Sequence, residues 1–424
     1  MRPARDTLVM LLAGGSGTRL NILSSRRAKP AVPFGGSYRI IDFTLSNIMH
    51  AGLERVGLLT QYKPFSLMDH VKGGEPWDLI GRERGIKVLP PHTGEKESDW
   101  YKGTADAVWQ NLWFMEDYKP DKVLILSGDH IYRMDYEAMI ATHERRGADL
   151  TIASMEVPWE DTYRFGVMSC GDEGWITGFQ EKERNASSNL ASMGIYVFRY
   201  ATLVEELRAV VGGRQGYDFG HDVIPRMLRK RKLLSYPFCG YWRDVGTIKS
   251  YVDANLDCLD PTSGLDLRSW HVCTNPDQAG RGDRPPVRVG SHAVVTNSLV
   301  AEGCVIDGHV ENCVLFPGVK IGAGAHLVGS LVMHDCVVGH DCRLVNTVAD
   351  KEVVVGDGAQ VGEGDPTVAN KPFPTHLDTG ITVLGKQAAV PRGLVIGTNC
   401  LVYPGANLRS VAGTRVPDGS TITR

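Results

Sequence analysis

No apolar run in this chain approaches the roughly 18 to 20 residues that a membrane-crossing helix needs. Charge of one sign is missing too. With 46 Lys and Arg against 49 Asp and Glu, the formal net charge is -3, and no global basic field points to nucleic acid or an anionic membrane as a partner. The nine cysteines show no paired short spacings, and the N-terminal MRPARDTLVMLLAGG has only a short apolar run leading straight into glycines. Both features argue against a secreted disulfide framework, so the expectation is a cytoplasmic protein with reduced thiols. Two common nucleotide motifs are also absent. A P-loop needs G-x-x-x-x-G-K-[ST] and a dinucleotide fingerprint needs G-x-G-x-x-G opening a helix, and neither spacing occurs at the N-terminal glycines.

What is present is the segment Leu8 to Pro33, LVMLLAGGSGTRLNILSSRRAKPAVP. An apolar strand precedes a glycine turn that carries a hydroxyl, an arginine and, ten residues on, a lysine. Gly14, Gly15 and Gly17 let backbone approach a polyphosphate, while Arg19 and Lys29 supply fixed positive charge where phosphoryl transfer builds negative charge. Further on, Asp129 follows the apolar VLIL within S-G-D-H, and Asp244 stands in W-R-D-V-G-T. Two such carboxylates suit Mg²⁺, which takes few protein oxygens and completes its shell with substrate oxygens and water.

The motif set resembles the sugar-1-phosphate nucleotidyltransferases, in particular the members that transfer an adenylyl group. The resemblance runs through FGGSYRIIDFTLSN (34–47), WYKGTADAVWQN (100–111), SGDHIY (127–132), FGVM (165–168), ASMGIYVF (191–198), DFGHDVIP (218–225) and YWRDVGT (241–247), and covers most of residues 8–260. It implies an Mg²⁺-dependent reaction of ATP with glucose 1-phosphate that yields ADP-glucose and pyrophosphate. Positioning and charge stabilisation would supply most of the rate. By resemblance, Ala13, Gly14, Gly15, Gly17, Thr18, Gln61, Gly103 and Thr104 face the nucleotide, and Arg19, Lys29 and Asp129 are catalytic. Asp129 and Asp244 hold the metal. Tyr101, Gly166, Glu181, Lys182, Ser192, Asp218, Phe219 and Trp242 line the sugar side. Relatives carry proline after the lysine at 182, whereas Glu183 follows here. An amide such as Gln61 reads purine or pyrimidine edges equally well, so the choice of adenine rests on the resemblance. A uridylyl- or thymidylyltransferase, an acyltransferase built on the C-terminal repeats, and a silent regulatory subunit are the competing readings. Retention of Arg19, Lys29, Asp129, Lys182 and Asp244 together speaks against the last.

A chain of 424 residues suggests two domains. Apolar runs at 8–12, 56–59, 123–126, 150–155 and 195–198 alternate with helical patterns at 44–51, 105–115 and 136–146. The alternation predicts a Rossmann-like, doubly wound α/β sheet over residues 1–260. Residues 261–288 read as a Pro-, Gly- and Asp-rich linker. Over 289–424 short apolar residues return about every six positions with Gly, Asn and Asp between them, the signature of a parallel β-helix, left-handed by the resemblance. The repeat HDCVVGHDC predicts that His334, Cys336, His340 and Cys342 stack on adjacent coils as a structural ladder, with zinc binding the alternative. The resemblance further implies a homotetramer. An anionic metabolite effector is expected between the catalytic domain and the β-helix, where Arg2, Arg5, Arg26 and Arg27 cluster in sequence and Arg26 is the regulatory candidate.

Overall fold

The apolar run before the glycines folds as β1 (Thr7–Leu12), and Leu8, Val9, Met10 and Leu11 lose all their exposed surface. At about 1.5 to 3 kcal/mol for each fully buried aliphatic side chain, such a strand belongs at the centre of a sheet. The computed structural model describes residues 6–15, 17–81, 84–91, 100–276, 283–408 and 413–423. The chain divides into two units, Met1–Gly15 with Phe43–Gly240, and Ser16–Asp42 with Tyr241–Arg424.

In the first unit, β1 is joined by β2 (Arg55–Leu59), β3 (Gly85–Leu89), β4 (Lys122–Ser127), β5 (Leu150–Glu156), β6 (Gly166–Cys170), β7 (Ile176–Glu181), β8 (Leu190–Arg199) and β9 (Leu233–Pro237). The main path runs β7-β6-β8-β4-β1-β2-β3, and β5 pairs with both β8 and β9. Strands β4, β1, β2 and β3 are mutually parallel, whereas β8 is antiparallel to β4, β5 and β6, so the sheet is mixed. Parallel packing puts the carboxyl ends of β1, β2 and β4 at one edge, where ligands bind in open α/β sheets. The helical pattern at 105–115 is split into α1 (Thr104–Gln110) and α2 (Leu112–Tyr118) at Asn111. Its side-chain amide donates to the Ala107 carbonyl and the Tyr101 hydroxyl, competing with the helical ladder. α3 (Tyr136–Arg146) starts at an Asp135 cap that accepts the Ala138 N–H and stops at Gly147, whose φ of 59° is left-handed.

In the second unit, three parallel sheets of two- and three-residue strands stack coil on coil, six strands in one and seven in each of the others. Lys320 pairs with Val337, and Val337 with Val354, so a column repeats after roughly three hexads. In most of the short strands one residue points inward. Ile306, Ile321, Val338 and Val355 form part of a core shared with Cys304, Cys336, Cys342 and Cys400. Val354 then pairs with Ala389, and the residues between them include a loop whose Asn370 amide donates to the carbonyls of Asn399 and Ser420. Helix α4 (Ile248–Asp257) opens on a Thr247/Ser250 capping box, and its Asn255 accepts the Gly35 N–H at 2.9 Å.

The expected ladder on adjacent coils is corrected by this geometry. Successive hexads occupy successive sheets of one coil: Val337–Val338 lie in one sheet and Arg343–Val345 in the next. Cys336 and Cys342 are both buried, but they stack on Val319 and Val353 and on Ala325 and Ala359 rather than on each other. His340 is exposed. Among the described residues, no cluster of three potential metal ligands includes any of the four.

Candidate functional site

Past the carboxyl ends of β1 and β2 lies a cavity of about 220 Å³ in the first unit. It is lined by Leu12, Gly14, Gly15, Leu59, Gln61, Tyr62, Tyr101, Lys102, Gly103, Thr104, Ala107 and Asp218. The Ala13 N–H bonds the Leu59 carbonyl at 2.9 Å, which ties the start of the glycine loop to β2. Gly14 packs so closely on Gln61 that an added Cβ would sit 3.2 Å from its Cβ. Gln61 Nε2 donates to the Tyr101 carbonyl at 3.4 Å. The Tyr101 hydroxyl donates to the Leu89 carbonyl and accepts from Asn111, and burial pushes its pKa up to about 12. Tyr101 therefore enters the site as a neutral, fixed wall.

The residues of this unit that were expected on the sugar side gather around β7 and β8. The Glu181 carboxylate is half-enclosed, with Lys182 Nζ 2.9 Å from Oε1. A Cβ on Gly166 or Gly220 would come within 2.5 or 2.3 Å of its Oε2, so a side chain at either position would displace this carboxylate. Lys182 has a φ of 53° and donates its N–H to the Phe165 carbonyl, while its side chain is mostly exposed. A left-handed lysine is a strained conformation of the kind stored at functional sites. Ser192 is buried, with Oγ 3.4 Å from the Tyr196 hydroxyl, and Phe219 packs on Tyr196 and Phe198 at 6.0 and 5.6 Å between ring centroids. Both Asp218 oxygens are engaged internally: Oδ1 accepts the Gly220 and His221 N–H groups, and Oδ2 the Thr104 hydroxyl. Asp129 follows the end of β4 with Ser127 donating to its Oδ1 and His130 Nε2 at 3.5 Å.

The second unit carries Gly17, Thr18, Arg19, Lys29, Trp242 and Asp244. Gly17 has a φ of 61°, and a Cβ there would lie 3.2 Å from the side chains of both Lys29 and Ser24, so only glycine fits. Thr18 and Arg19 open the 3₁₀ segment Thr18–Ser24. Lys29 is buried with its Nζ 3.0 Å from Asp244 Oδ1, and the half-exposed Arg19 reaches Asp244 Oδ2 at 4.0 Å. Trp242 shares the short strand Trp242–Asp244.

A family model described as nucleotidyl transferase matches residues 8–260, and one described as the GlmU-like, C-terminal hexapeptide matches 287–384. The glucose-1-phosphate adenylyltransferase of Thermomicrobium roseum is 45% identical over 98% of this chain and 97% of its own. That of Acetivibrio thermocellus is 43% identical over 94% and 93%. That of Geobacillus stearothermophilus is 50% identical over 76% and 83%. The chain belongs to the glucose-1-phosphate adenylyltransferase family.

Measured against what the motifs implied for a glucose-1-phosphate adenylyltransferase, the cavity adds Leu12, Leu59, Tyr62, Lys102 and Ala107. Leu12, Lys102 and Ala107 lie inside quoted segments and Tyr62 adjoins Gln61, but a bare apolar or exposed residue gives no chemical signal of its own. A second addition is a cationic group in the second unit. Arg27 makes a buried bidentate pair with Asp350, both oxygens 2.8 Å from Nη2. Lys351 is pushed down to about 7, by burial first and then by Arg39 and Arg27. His334 is held well below the ordinary histidine range, again by burial first and then by Lys351, Arg39, Arg284 and Arg27. Neither of its buried ring nitrogens has a hydrogen-bond partner among the described residues. Arg26 is exposed and donates to Gln387 at 3.4 Å. Arg2 and Arg5 lie outside the described residues. No described helix is long and apolar enough to cross a membrane.

Proposed function

We infer that the chain transfers the adenylyl group of ATP to glucose 1-phosphate, releasing pyrophosphate and forming ADP-glucose, the first committed step of α-glucan synthesis. The cavity of the first unit carries this reading, because glycine backbone, an oriented amide and the Gly103-Thr104 turn converge there. Gln61 Nε2 gives one of its two N–H groups to the Tyr101 carbonyl, which orients the amide and leaves Oε1 as an acceptor and the second N–H as a donor. That pair suits the exocyclic amino group and adjacent ring nitrogen of adenine.

In this reading Gly14, Gly15 and Gly17 bring backbone against the triphosphate, and Arg19 and Lys29 stabilise the charge that develops on the α-phosphate and leaving pyrophosphate. Lys182 grips the sugar phosphate, with Glu181 and Ser192 turned to sugar hydroxyls and Phe219 and Trp242 supplying apolar surface. The family works with a divalent cation, and we assign Mg²⁺ to Asp129 and Asp244. Asp129 fits a hard cation, since it is a carboxylate at a strand end, partly open to solvent and oriented by Ser127. When bound, the cation would neutralise phosphate charge; Lys29 and Arg19, 3.0 and 4.0 Å from the Asp244 oxygens, hold that carboxylate in place. Arg26 and the buried cations near it support activation by an anionic metabolite. Exposed valines on the stacked strands, Val294, Val337 and Val354 among them, support assembly into a homotetramer, and a cytoplasmic location fits the reduced thiols.

The test is pyrophosphate release from glucose 1-phosphate and Mg²⁺ with ATP, UTP, dTTP, CTP and GTP in turn. ATP should exceed every other nucleotide by at least tenfold, and preference for UTP or dTTP would overturn the assignment of the base.

A further inference from the structure

The wall of the base cavity and the wall of the sugar side are knitted together at one place. The Tyr217 carbonyl accepts the N–H groups of Ala105 at 2.9 Å and Asp106 at 3.1 Å. The Thr104 hydroxyl donates to Asp218 Oδ2 at 2.9 Å and accepts the Phe219 N–H at 3.1 Å, so its single proton and one lone pair are both spent on the 217–219 segment. Gly103 is pressed against the same segment, since a Cβ there would lie 2.3 Å from the Tyr217 oxygen. Lys102 adds its ammonium over the Tyr217 ring at 5.2 Å.

From Asp218 the connection continues without a gap. Its Oδ1 caps the turn at Gly220 and His221, which fixes Phe219 against Tyr196 and sets Gly220 against the Glu181 carboxylate. Glu181 in turn holds Lys182 Nζ. Tyr217 and Asp218 also donate their N–H groups to Asp222 Oδ2 at 2.7 and 2.9 Å, so the segment moves as one piece. Thr104 lines the nucleotide cavity, yet both of its hydrogen bonds reach toward the residues of the sugar side.

We propose that Thr104 is a positioning residue that couples the two substrates: nucleotide seated on the Gly103-Thr104 turn fixes Asp218 and Phe219, and through them Glu181 and Lys182, in the arrangement that accepts glucose 1-phosphate. Binding of one substrate then favours the other by the same factor in either direction, as linkage requires. The hydroxyl, rather than the bulk of the residue, is the element that matters. This rests on the assignment of the two substrates above.

The experiment measures the dissociation constant of glucose 1-phosphate by calorimetry, with and without a non-hydrolysable ATP analogue and Mg²⁺. It uses the full-length wild type, Thr104→Val, which keeps the shape and removes the hydroxyl, and Thr104→Ser, which restores it. In the wild type the analogue should tighten glucose 1-phosphate binding. Thr104→Val should reduce that enhancement by about tenfold, the worth of a hydrogen bond to a charged group, and Thr104→Ser should recover most of it. Enhancement unchanged in Thr104→Val, or absent from a wild type that turns over both substrates, overturns the proposal. Failure of the wild type to release pyrophosphate from ATP and glucose 1-phosphate would instead overturn the substrate assignment. Thr104→Val weakening both substrates while leaving their mutual enhancement intact marks a purely structural role and also overturns the coupling.

Discussion

Gly103→Ala isolates the fit between the nucleotide wall and the Tyr217 carbonyl. The backbone is extended at this position, with a φ of -177°, so alanine meets no torsional objection. Its obstacle is space: the new methyl would lie 2.3 Å from the Tyr217 oxygen and 2.8 Å from its carbon. Reaching ordinary van der Waals contact requires a shift of about 1 Å. The Ala105 and Asp106 N–H groups, now 2.9 and 3.1 Å from that oxygen, would move out of bonding range. Two backbone hydrogen bonds at about 1 kcal/mol each amount to about 2 kcal/mol, or about 30-fold in an equilibrium or rate constant. The loss should fall on kcat/KM for ATP, because the displaced turn forms the cavity wall. Pyrophosphate release over a range of ATP concentrations measures it, with thermal unfolding recorded in parallel. A folded Gly103→Ala variant whose kcat/KM for ATP stays within threefold of wild type would refute the reasoning, since the clash would then have relaxed without disturbing the site.

Asp129→Asn should cut turnover by about a thousandfold or more while circular dichroism stays native, and near-normal turnover would remove Asp129 from the metal site. Lys182→Ala should raise the KM for glucose 1-phosphate at least tenfold more than that for ATP, and equal effects would cancel its assignment to the sugar phosphate. His143 is buried against the Thr151 hydroxyl, and burial lowers its pKa to about 4 from an ordinary 6.5. The unfolded chain therefore binds the extra proton first, so the stability held above pH 6.5 is lost progressively as pH falls toward 4, by roughly 3 kcal/mol in all. Urea unfolding across that window should show the slope in the wild type and a flatter one in His143→Gln. Arg26→Ala should blunt activation by an anionic metabolite while sparing the unactivated rate. Assays with sugar phosphates, pyruvate, AMP and inorganic phosphate check it, and a flat wild-type response would end the effector proposal.

The strands of the first unit were legible because buried parallel strands demand unbroken apolar runs, as at 8–12, 56–59 and 123–126. Asn111 was legible only as a polar residue within a helical pattern, since its helix-splitting bonds depend on Tyr101 ten residues away in sequence. Gly14 and Gly15 were readable from the glycine turn that follows an apolar run, Gln61 and Gly103 only through the family resemblance, whereas the Thr104–Asp218 bond joins positions 114 residues apart and leaves no local mark. The His/Cys repeat was misjudged for a geometric reason. A six-residue period sets the next face of the coil, and the neighbour along the stack lies about three hexads away. Nor does residue order signal that 16–42 groups with the residues after 241.

The coil that lets the chain depart after Val361 and return at Thr382 still brings Ala389 back into the same column as Val337 and Val354. Length is thus free in the loop and tightly held inside the strands. A side loop can grow or shrink because its ends meet at fixed points, but one residue added inside a two-residue strand would swap the inward and outward partners of that rung and put Val355 in water. The stack behaves like a thread on a screw: material can be hung from its crest, while any error in pitch is carried into every turn beyond it.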